Sequence, residues 1–476
     1  AVNQPRTFDD LTAEIALFRP GPLQGGMVHP FIRRRKGQEP IIYEHPDLIP
    51  TLKDTYGIIL FQEQVLEVAH RFAGMSLPEA DDFRSLMSKY RNPEEMESMR
   101  EKFVGGALER GISQEIANSV FDKVSKFVGY GFCRSHAASF ARIVYQSAWM
   151  RLYHPDAYMA AAMQHRPGMY GLMTLEQEAR QAGVSIIIPD INRSMTRYSL
   201  LPSSDKWLSV NKPLTSVDEI SAEISRSIVW ERLKGEYRTV EDLYRRVEIP
   251  RSALDKLAKS GALDSIAISS RGALWEVGVL ATRIGGSGDS GRPGLFDLPV
   301  VMPPDMPVIP NLTAAERLTW DYQTHHSGRI HPLSLVRRAL KEFGILSIGT
   351  CRHLVPIDGT SDRTVVLLSG IVIMRQRPPT AKGMMFMTLE DETGFIQCVL
   401  SPPTQESHDH LLTLPALTVR GILQAAGHWR GLVVSQIWGL KGMLGGYAGF
   451  PGQAGGRDRW VRTIDIDEND TDKKSA

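Results

Sequence analysis

The period of the hydrophobic pattern changes once along this chain, which restricts it to a fold with separate helical and β-sheet domains. Up to about residue 165, apolar side chains recur three and four apart and so share one face of a helix. Asn92-Pro93-Glu94-Glu95 reads as a helix start, with a capping Asn and Pro at the first helical position. Met96, Met99, Phe103 and Ala107 follow at helical spacing, and Gly111 ends the run. A second helix from Ser113 carries Ile116, Val120, Val124 and Phe127 on one face. A third runs from about Ala137 to Leu152 and stops before His154-Pro155. From residue 363 to 440 the period drops to two, with β-branched residues enriched. The strand candidates are Thr364–Met374, Met384–Glu390, Phe395–Leu400, Ala416–Leu423 and Leu432–Trp438. Five short strands in so short a stretch suggest an OB-fold, a five-stranded barrel.

Between these regions, Leu175 to Ala182 reads as helix and Val184 to Ile188 as a short strand. Ser252 to Asp264 reads as a helix, a Gly turn and a second short helix, a pattern compatible with helix-hairpin-helix. Residues 285–312 are rich in Gly, Pro and Ser and read as a linker. After Gly445 the chain turns Gly-rich, then polar and acidic, and is expected to be disordered. The expected fold class is multidomain α+β. A mostly helical domain spans 1–200, a helix-hairpin-helix DNA-binding region 201–284, a linker 285–345, an OB-fold 346–445 and a tail 446–476.

A chain of 476 residues suggests about three domains. Lys plus Arg is 55 and Asp plus Glu is 54, so overall charge predicts no partner, and a nucleic-acid role must rest on local basic patches. Cys133, Cys351 and Cys398 are scattered without a Cys-x-x-Cys pair, which argues against a zinc site or a disulfide framework and fits a reducing cytoplasm. No apolar stretch reaches the roughly 18 residues that span a bilayer, so no membrane partner is expected.

The residues richest in chemistry lie in Gly129–His136, GYGFCRSH. Glycines permit close approach of a ligand. Arg134, Ser135 and His136 offer donors to phosphate oxygens. The plainer reading is a turn between helices with a capping Ser. Arg33-Arg34-Arg35-Lys36 could contact a DNA backbone or form a solvated surface loop. Arg84, Lys89 and Arg91 follow Asp81-Asp82 and could neutralise a triphosphate or form surface ion pairs. Arg375, Arg377 and Lys382 lie in the loop joining the first two barrel strands, which in OB-folds borders the nucleic-acid face. Phe386 and Phe395 would be stacking platforms beside them or, more simply, barrel core. Leu295 and Phe296, in Gly294–Leu298, could dock into a partner's groove or be ordinary linker residues. Two-metal phosphoryl transfer needs paired carboxylates. Asp465-Ile466-Asp467 and Asp470-Thr471-Asp472 have the spacing but lie in the polar tail, so no catalytic residue is assigned.

Three stretches together resemble the alpha subunit of bacterial DNA polymerase III: Ala16–Val28 (ALFRPGPLQGGMV), Tyr56–Val65 (YGIILFQEQV) and Gly129–Ala138 (GYGFCRSHAA). Gly25–Lys36, Pro167–Tyr170 and Leu175–Arg180 look like the error-prone, damage-inducible class of that family. The resemblance covers about residues 1–445. It implies a fingers domain over 1–200 that grips nucleotide and template, then helix-hairpin-helix contact with duplex DNA, then an OB-fold near single-stranded template. On the matching positions it places Arg84, Arg134, Ser135 and His136 toward the triphosphate, where cations would offset phosphate charge, and Lys89 is counted with them as a nucleotide-binding candidate.

By that comparison the palm aspartates and the phosphoesterase-like domain lie upstream of Ala1. Mg2+ would then be held outside this chain, and an upstream polymerase half is an expected partner. So are primer-template DNA, a deoxynucleoside triphosphate and other repair polymerase subunits. The Gly294–Leu298 motif sits where relatives carry a sliding-clamp peptide, without the leading Gln. The family's paired basic residues are Arg84-Ser85 here, and its glycine-rich first hairpin is Leu214-Thr215-Ser216-Val217-Asp218, which should weaken backbone contact with DNA. The competing reading is a non-catalytic DNA-binding adaptor or degenerate remnant in a repair complex. A third, an RNA-binding module built on the barrel, is opposed by the three motifs.

Overall fold

A computed structural model describes residues 4–18, 28–87, 93–125, 132–168, 170–284, 309–354, 364–426 and 429–440. Lys89, Arg91, Gly129–Gly131, Leu295, Phe296 and the expected tail lie outside the described residues. The chain divides into two compact units, Ala1–Trp149 with Ala426–Trp429, and Met150–Ala425 with Arg430–Ala476.

The first unit is helical. Helices Gln62–Arg71, Leu77–Met87, Pro93–Glu109 and Gln114–Ser125 close around one core; the last two follow the helices anticipated from Asn92 and Ser113, of which Asn92 and Phe127 lie outside the described residues. Phe72, Phe83, Phe103 and Phe121 are all buried at its centre. Phe103 stacks on Phe83 at 5.4 Å and meets Phe121 edge-on at 5.6 Å, arrangements that aromatic quadrupoles favour. A second core joins helix Phe8–Leu17 and helix Val28–Arg35 to Ile58, Leu60, Phe61 and Ala137.

The second unit begins with helices Pro155–His165 and Leu172–Gln181 and a small sheet of β1 (Ile186–Ile187), β2 (Ser199–Leu201) and β3 (Ser209–Asn211). β3 lies between the other two, parallel to β1 and antiparallel to β2. Helices Ala222–Arg232, Val240–Arg246, Arg251–Ser260 and Ser270–Ile284 share the next core. The short helix expected before Asp264 is instead a run of turns. The amides of Ala262 and Asp264 close back on Leu257 and Gly261, and the Asp264 carboxylate takes the Ser270 hydroxyl at the start of the next helix. The expected linker 285–345 is folded in its second half. Thr313 and Glu316 form a capping box that starts helix Ala314–His325.

Buried ionic bonds tie these pieces together. Lys212 is 2 % exposed and donates to Ser327 at 2.6 Å while pairing with Glu176 at 2.6 Å. Burial lowers the Lys212 pKa, and Glu176 opposes that shift. Gln177 donates to the Glu392 carbonyl, and Arg337 binds Asp391 at 2.8 Å, fastening the helices to the barrel.

The barrel is closed, with strand order β4-β5-β6-β8-β7 over β4 (Val365–Gln376), β5 (Met385–Asp391), β6 (Gly394–Leu400), β7 (Ala416–Ala426) and β8 (Trp429–Gly439). Each strand lies where the period-two pattern put it. β4 pairs with β7 along its first half and with β5 along its second, Ile371 facing both Glu390 and Ala416. Gly370 stands at that handover, where an added Cβ would come within 2.7 Å of the Leu389 side chain.

Candidate functional site

The site is built on Phe61-Gln62-Glu63, the extended cap and first two residues of helix Gln62–Arg71. Gln64 holds it in place. Its buried amide oxygen accepts from the Leu60 and Phe61 amides at 2.8 and 3.0 Å, and its nitrogen donates to Thr51 and Thr55. Phe61 also bridges to Phe132, whose carbonyl takes the Gln62 amide at 2.9 Å. This pairing brings the start of helix Arg134–Tyr153 beside the segment.

Each residue of the segment then engages a candidate. The guanidinium of Arg134 lies over the Phe61 ring at 5.6 Å. The backbone amide of Arg134 donates to both oxygens of Glu63 at 3.0 Å, so a carboxylate satisfies the helix start and complements its dipole. Arg84 donates to Gln62 at 3.3 Å and to Asp81 at 2.8 Å. Arg84 and Arg134 therefore both engage this segment, Arg84 at Gln62 and Arg134 at Phe61 and Glu63. Ser135 lies 2.9 Å from the Cys133 sulfur, and the His136 ring packs edge-on against Phe132 and Phe140 at 5.4 and 4.7 Å. The Arg134 side chain is 44 % exposed and has two outlying partners, Asp9 at 3.6 Å and Asp54 at 3.9 Å. Such long, exposed pairs are readily exchanged for a phosphate. Phe61, Gln62 and Glu63 received no role from sequence reasoning, although the Tyr56–Val65 motif contains them. Their part depends on a partner some 70 residues away, which no local pattern records.

The basic run splits. Arg35 is 12 % exposed and forms a two-pronged bond with Asp10 at 2.7 and 3.0 Å. Arg34 binds Glu39 and the Tyr56 carbonyl. Both are occupied in holding the domain together. Arg33 and Lys36 are exposed, Arg33 in an ion pair with Glu39.

In the barrel, Arg377 and Lys382 are exposed, while Arg375 donates to the Leu414 carbonyl at 2.5 Å. Phe386 and Phe395 are not core, the plainer fate weighed for them. The pleat turns Met385, Met387 and Leu389 inward, and with them Ile396 and Cys398. Phe395 is instead exposed and lies under the Arg352 guanidinium at 5.0 Å.

The hairpin Leu214–Asp218 differs from a phosphate-binding turn. The amides of Ser216, Val217 and Asp218 donate to the carbonyls of Pro213, Leu214 and Thr324. The Asp218 carboxylate pairs with His326 at 2.9 Å and Lys256 at 3.6 Å. The expected weakening of backbone contact has a physical cause beyond lost glycines: these amides are already spoken for.

Among the described residues, no group of three His, Cys, Asp or Glu side chains could hold a metal ion. Asp9, Asp54 and Glu63 surround Arg134, but they engage its guanidinium and amide instead of converging on one point. These residues do not fit a magnesium site. No described helix is long and apolar enough to cross a membrane. All three cysteines are free, Cys351 and Cys398 buried.

Comparison with known proteins places similarities along most of the chain. The family of the bacterial DNA polymerase III alpha subunit finger domain matches residues 2–111, and the helix-hairpin-helix motif matches residues 183–273. The error-prone DNA polymerase of Mycobacterium bovis is 37 % identical over 433 residues, which is 89 % of this chain and 38 % of that protein. The error-prone DNA polymerase of Teredinibacter turnerae is 36 % identical over 427 residues, 88 % of this chain and 40 % of that protein. A solved asparaginyl-tRNA synthetase from Pyrococcus horikoshii matches 17 % of this chain at 24 % identity with a TM-score of 0.15, too slight a likeness to bear on the fold. The chain thus spans about two fifths of the length of the relatives it matches; it carries regions that match the bacterial DNA polymerase III alpha subunit finger domain and a helix-hairpin-helix motif, and most of its length is similar to a segment of error-prone DNA polymerases.

Proposed function

We propose that this chain is the nucleotide- and template-gripping part of an error-prone DNA-directed DNA polymerase that acts in repair synthesis. The supporting observation is the convergence of Arg84 and Arg134 on Phe61-Gln62-Glu63, with His136 half a turn further along the same helix. In this reading a deoxynucleoside triphosphate displaces Asp9 and Asp54 from Arg134. Arg134, Ser135, His136, Arg84 and Lys89 then offset its phosphate charge, which is largest as pyrophosphate leaves. The Phe61 ring beneath the Arg134 guanidinium helps to orient it for phosphate. The paired carboxylates that would hold Mg2+ are not among these residues; when bound, the ion would supply charge neutralisation at the phosphates.

Within the first unit Arg33 and Lys36 offer contacts to a DNA backbone; within the second, Arg377 and Lys382 do so, with Phe395 offering a stacking face to single-stranded template. Arg34, Arg35 and Arg375 hold the neighbouring backbone in shape. Leu295 and Phe296 remain the candidate contact for a sliding clamp. The test is chemical protection. A deoxynucleoside triphosphate should shield Arg134 from an arginine-specific dicarbonyl reagent and His136 from acylation, with no shielding by a nucleoside. Equal modification with and without nucleotide overturns the proposal.

A further inference from the structure

The second unit holds a cavity of about 450 Å³, bounded by the start of helix Val240–Arg246, the turn before Ser270 and helix Ser270–Ile284. That size falls in the range of small-ligand sites, roughly 300–1,000 Å³. Its apolar walls run from Ile268, 84 % exposed, to Leu280, 2 % exposed, so it reaches from the surface into the core. Arg238, Trp275 and Glu276 line the same space and supply a cation, an aromatic ring system and a carboxylate.

Neither charged group is in use. The neighbouring carboxylates are paired within their own helix, Glu241 with Arg245 and Asp242 with Arg246. Glu276 makes no hydrogen bond or ion pair among the described residues, and Arg238 bonds only through its backbone amide, to Asp242. Burial raises the Glu276 pKa and no nearby cation opposes the shift, so Arg238 and Glu276 do not neutralise each other. A half-buried carboxylate without a donor costs stability, and a ligand bringing donors would recover it.

We infer that this cavity binds a guanine nucleotide, with the base on Trp275 and Glu276 and the phosphate on Arg238. Guanine alone among the bases carries two adjacent N–H donors on its Watson–Crick edge, which match the two oxygens of one carboxylate. Adenine and cytosine set a ring acceptor against that carboxylate, and thymine flanks its single N–H with carbonyls. The flat ring suits Trp275 and the apolar walls, as bases stack on aromatic side chains. A basic peptide would bring its charge against Arg238, and an acidic one against Glu276. The same chemistry is offered by a free guanine nucleotide or by an unpaired guanine in a DNA strand. The site is distinct from the Arg134 cluster, which belongs to the first unit, and does not depend on its role.

The full chain should be titrated calorimetrically with GMP and AMP, then with DNA hairpins carrying one unpaired guanine or one unpaired adenine. Saturable binding of a guanine probe is expected, with its adenine counterpart about tenfold weaker, the low end of what a two-pronged base contact discriminates. Glu276→Gln should remove that preference, since it replaces one acceptor with a donor. Arg238→Ala should weaken GMP and leave guanosine unchanged. Thermal unfolding of both variants should match the parent, because Gln keeps the size of Glu and the Arg238 side chain has no partner to lose. Arg134→Ala should leave GMP binding intact, which separates this site from the cluster in the first unit. Preference for the guanine hairpin over the adenine hairpin, lost in Glu276→Gln, assigns the DNA strand as the source. Preference for GMP over AMP with equal affinity for both hairpins assigns the free nucleotide. No saturable binding of any guanine probe, no preference over adenine in either form, or a preference that survives Glu276→Gln would each overturn the inference.

Discussion

Glu390 and His331 face each other at 3.7 Å inside the second unit, 1 % and 2 % exposed, and neither finds a hydrogen-bond partner for the atom it presents. Burial, with the charge of Asp391 adding to it, pushes the Glu390 carboxyl up to about 7, against the pull of Arg180. Burial also pushes His331 down to about 4. A carboxyl raised in the folded state adds stability while protonated. Its contribution is full below about 4.5 and is lost as pH climbs through about 7, a change of about 3 kcal/mol. His331 works in the opposite sense: its share is present above about 6.5 and lost as pH falls through about 4. Glu390→Gln should therefore flatten stability between those limits and raise the urea midpoint at pH 8 above the parent. A midpoint at pH 8 lower than the parent's would contradict this account. The basic run gives a second residue-level expectation. Arg35→Ala strands the half-buried Asp10 carboxylate and should cost about 2 kcal/mol, whereas Arg33→Ala should stay within about 0.5 kcal/mol. Urea titration of each variant measures the difference.

Helix Pro93–Glu109 shows where an element's own preference loses to its neighbour. Ala is the better helix former than Gly by about 1 kcal/mol, so propensity alone favours Gly106→Ala. In the fold, a Cβ at Gly106 would lie 2.1 Å from the Ala73 carbonyl oxygen. Backbone cannot swing aside as a side chain does, so the helix and the 72–75 turn must part. The expected result is a loss of about 1–3 kcal/mol, the usual range for overpacking, read as a lower melting temperature. A melting temperature at or above the parent's would show that the helix can slide. The hairpin Leu214–Asp218 illustrates the same principle in the opposite direction: its amides bond inward, and the carboxylate of Asp218 fastens His326 and Lys256. Asp218→Gly should loosen that corner without creating a phosphate site, so affinity for duplex DNA should not rise in an anisotropy titration.

For the whole molecule, DNA affinity should depend on scattered exposed cations, since the net charge is +1. Arg377→Ala and Lys382→Ala should each lower affinity evenly across sequences and reduce the salt slope by about one. Arg375→Ala should act mainly through barrel stability, because its guanidinium holds the Leu414 carbonyl. Titration at several salt concentrations separates the two effects. The five barrel strands and the helices at 93–109, 114–125 and 134–153 were legible in the sequence. The strands and the helix at 114–125 bury one periodic face, and that period is written in adjacent residues, whereas the helix at 134–153 buries only Ala137 and Ala141. The Gly129–Ala138 motif likewise drew attention to Arg134, Ser135 and His136. The sequence could not tell which arginine of Arg33-Arg34-Arg35 meets solvent, because that depends on Asp10 and Glu39 arriving from elsewhere. It could not place Phe395 outside the barrel, since a two-residue period marks two faces without saying which is the core. Nor could it show that Phe61, Gln62 and Glu63 receive the cluster, for Arg84 and Arg134 reach that segment only through pairing of residues far apart in the chain. Local periodicity determined the elements; burial and long-range hydrogen bonding decided which side chains were left to act.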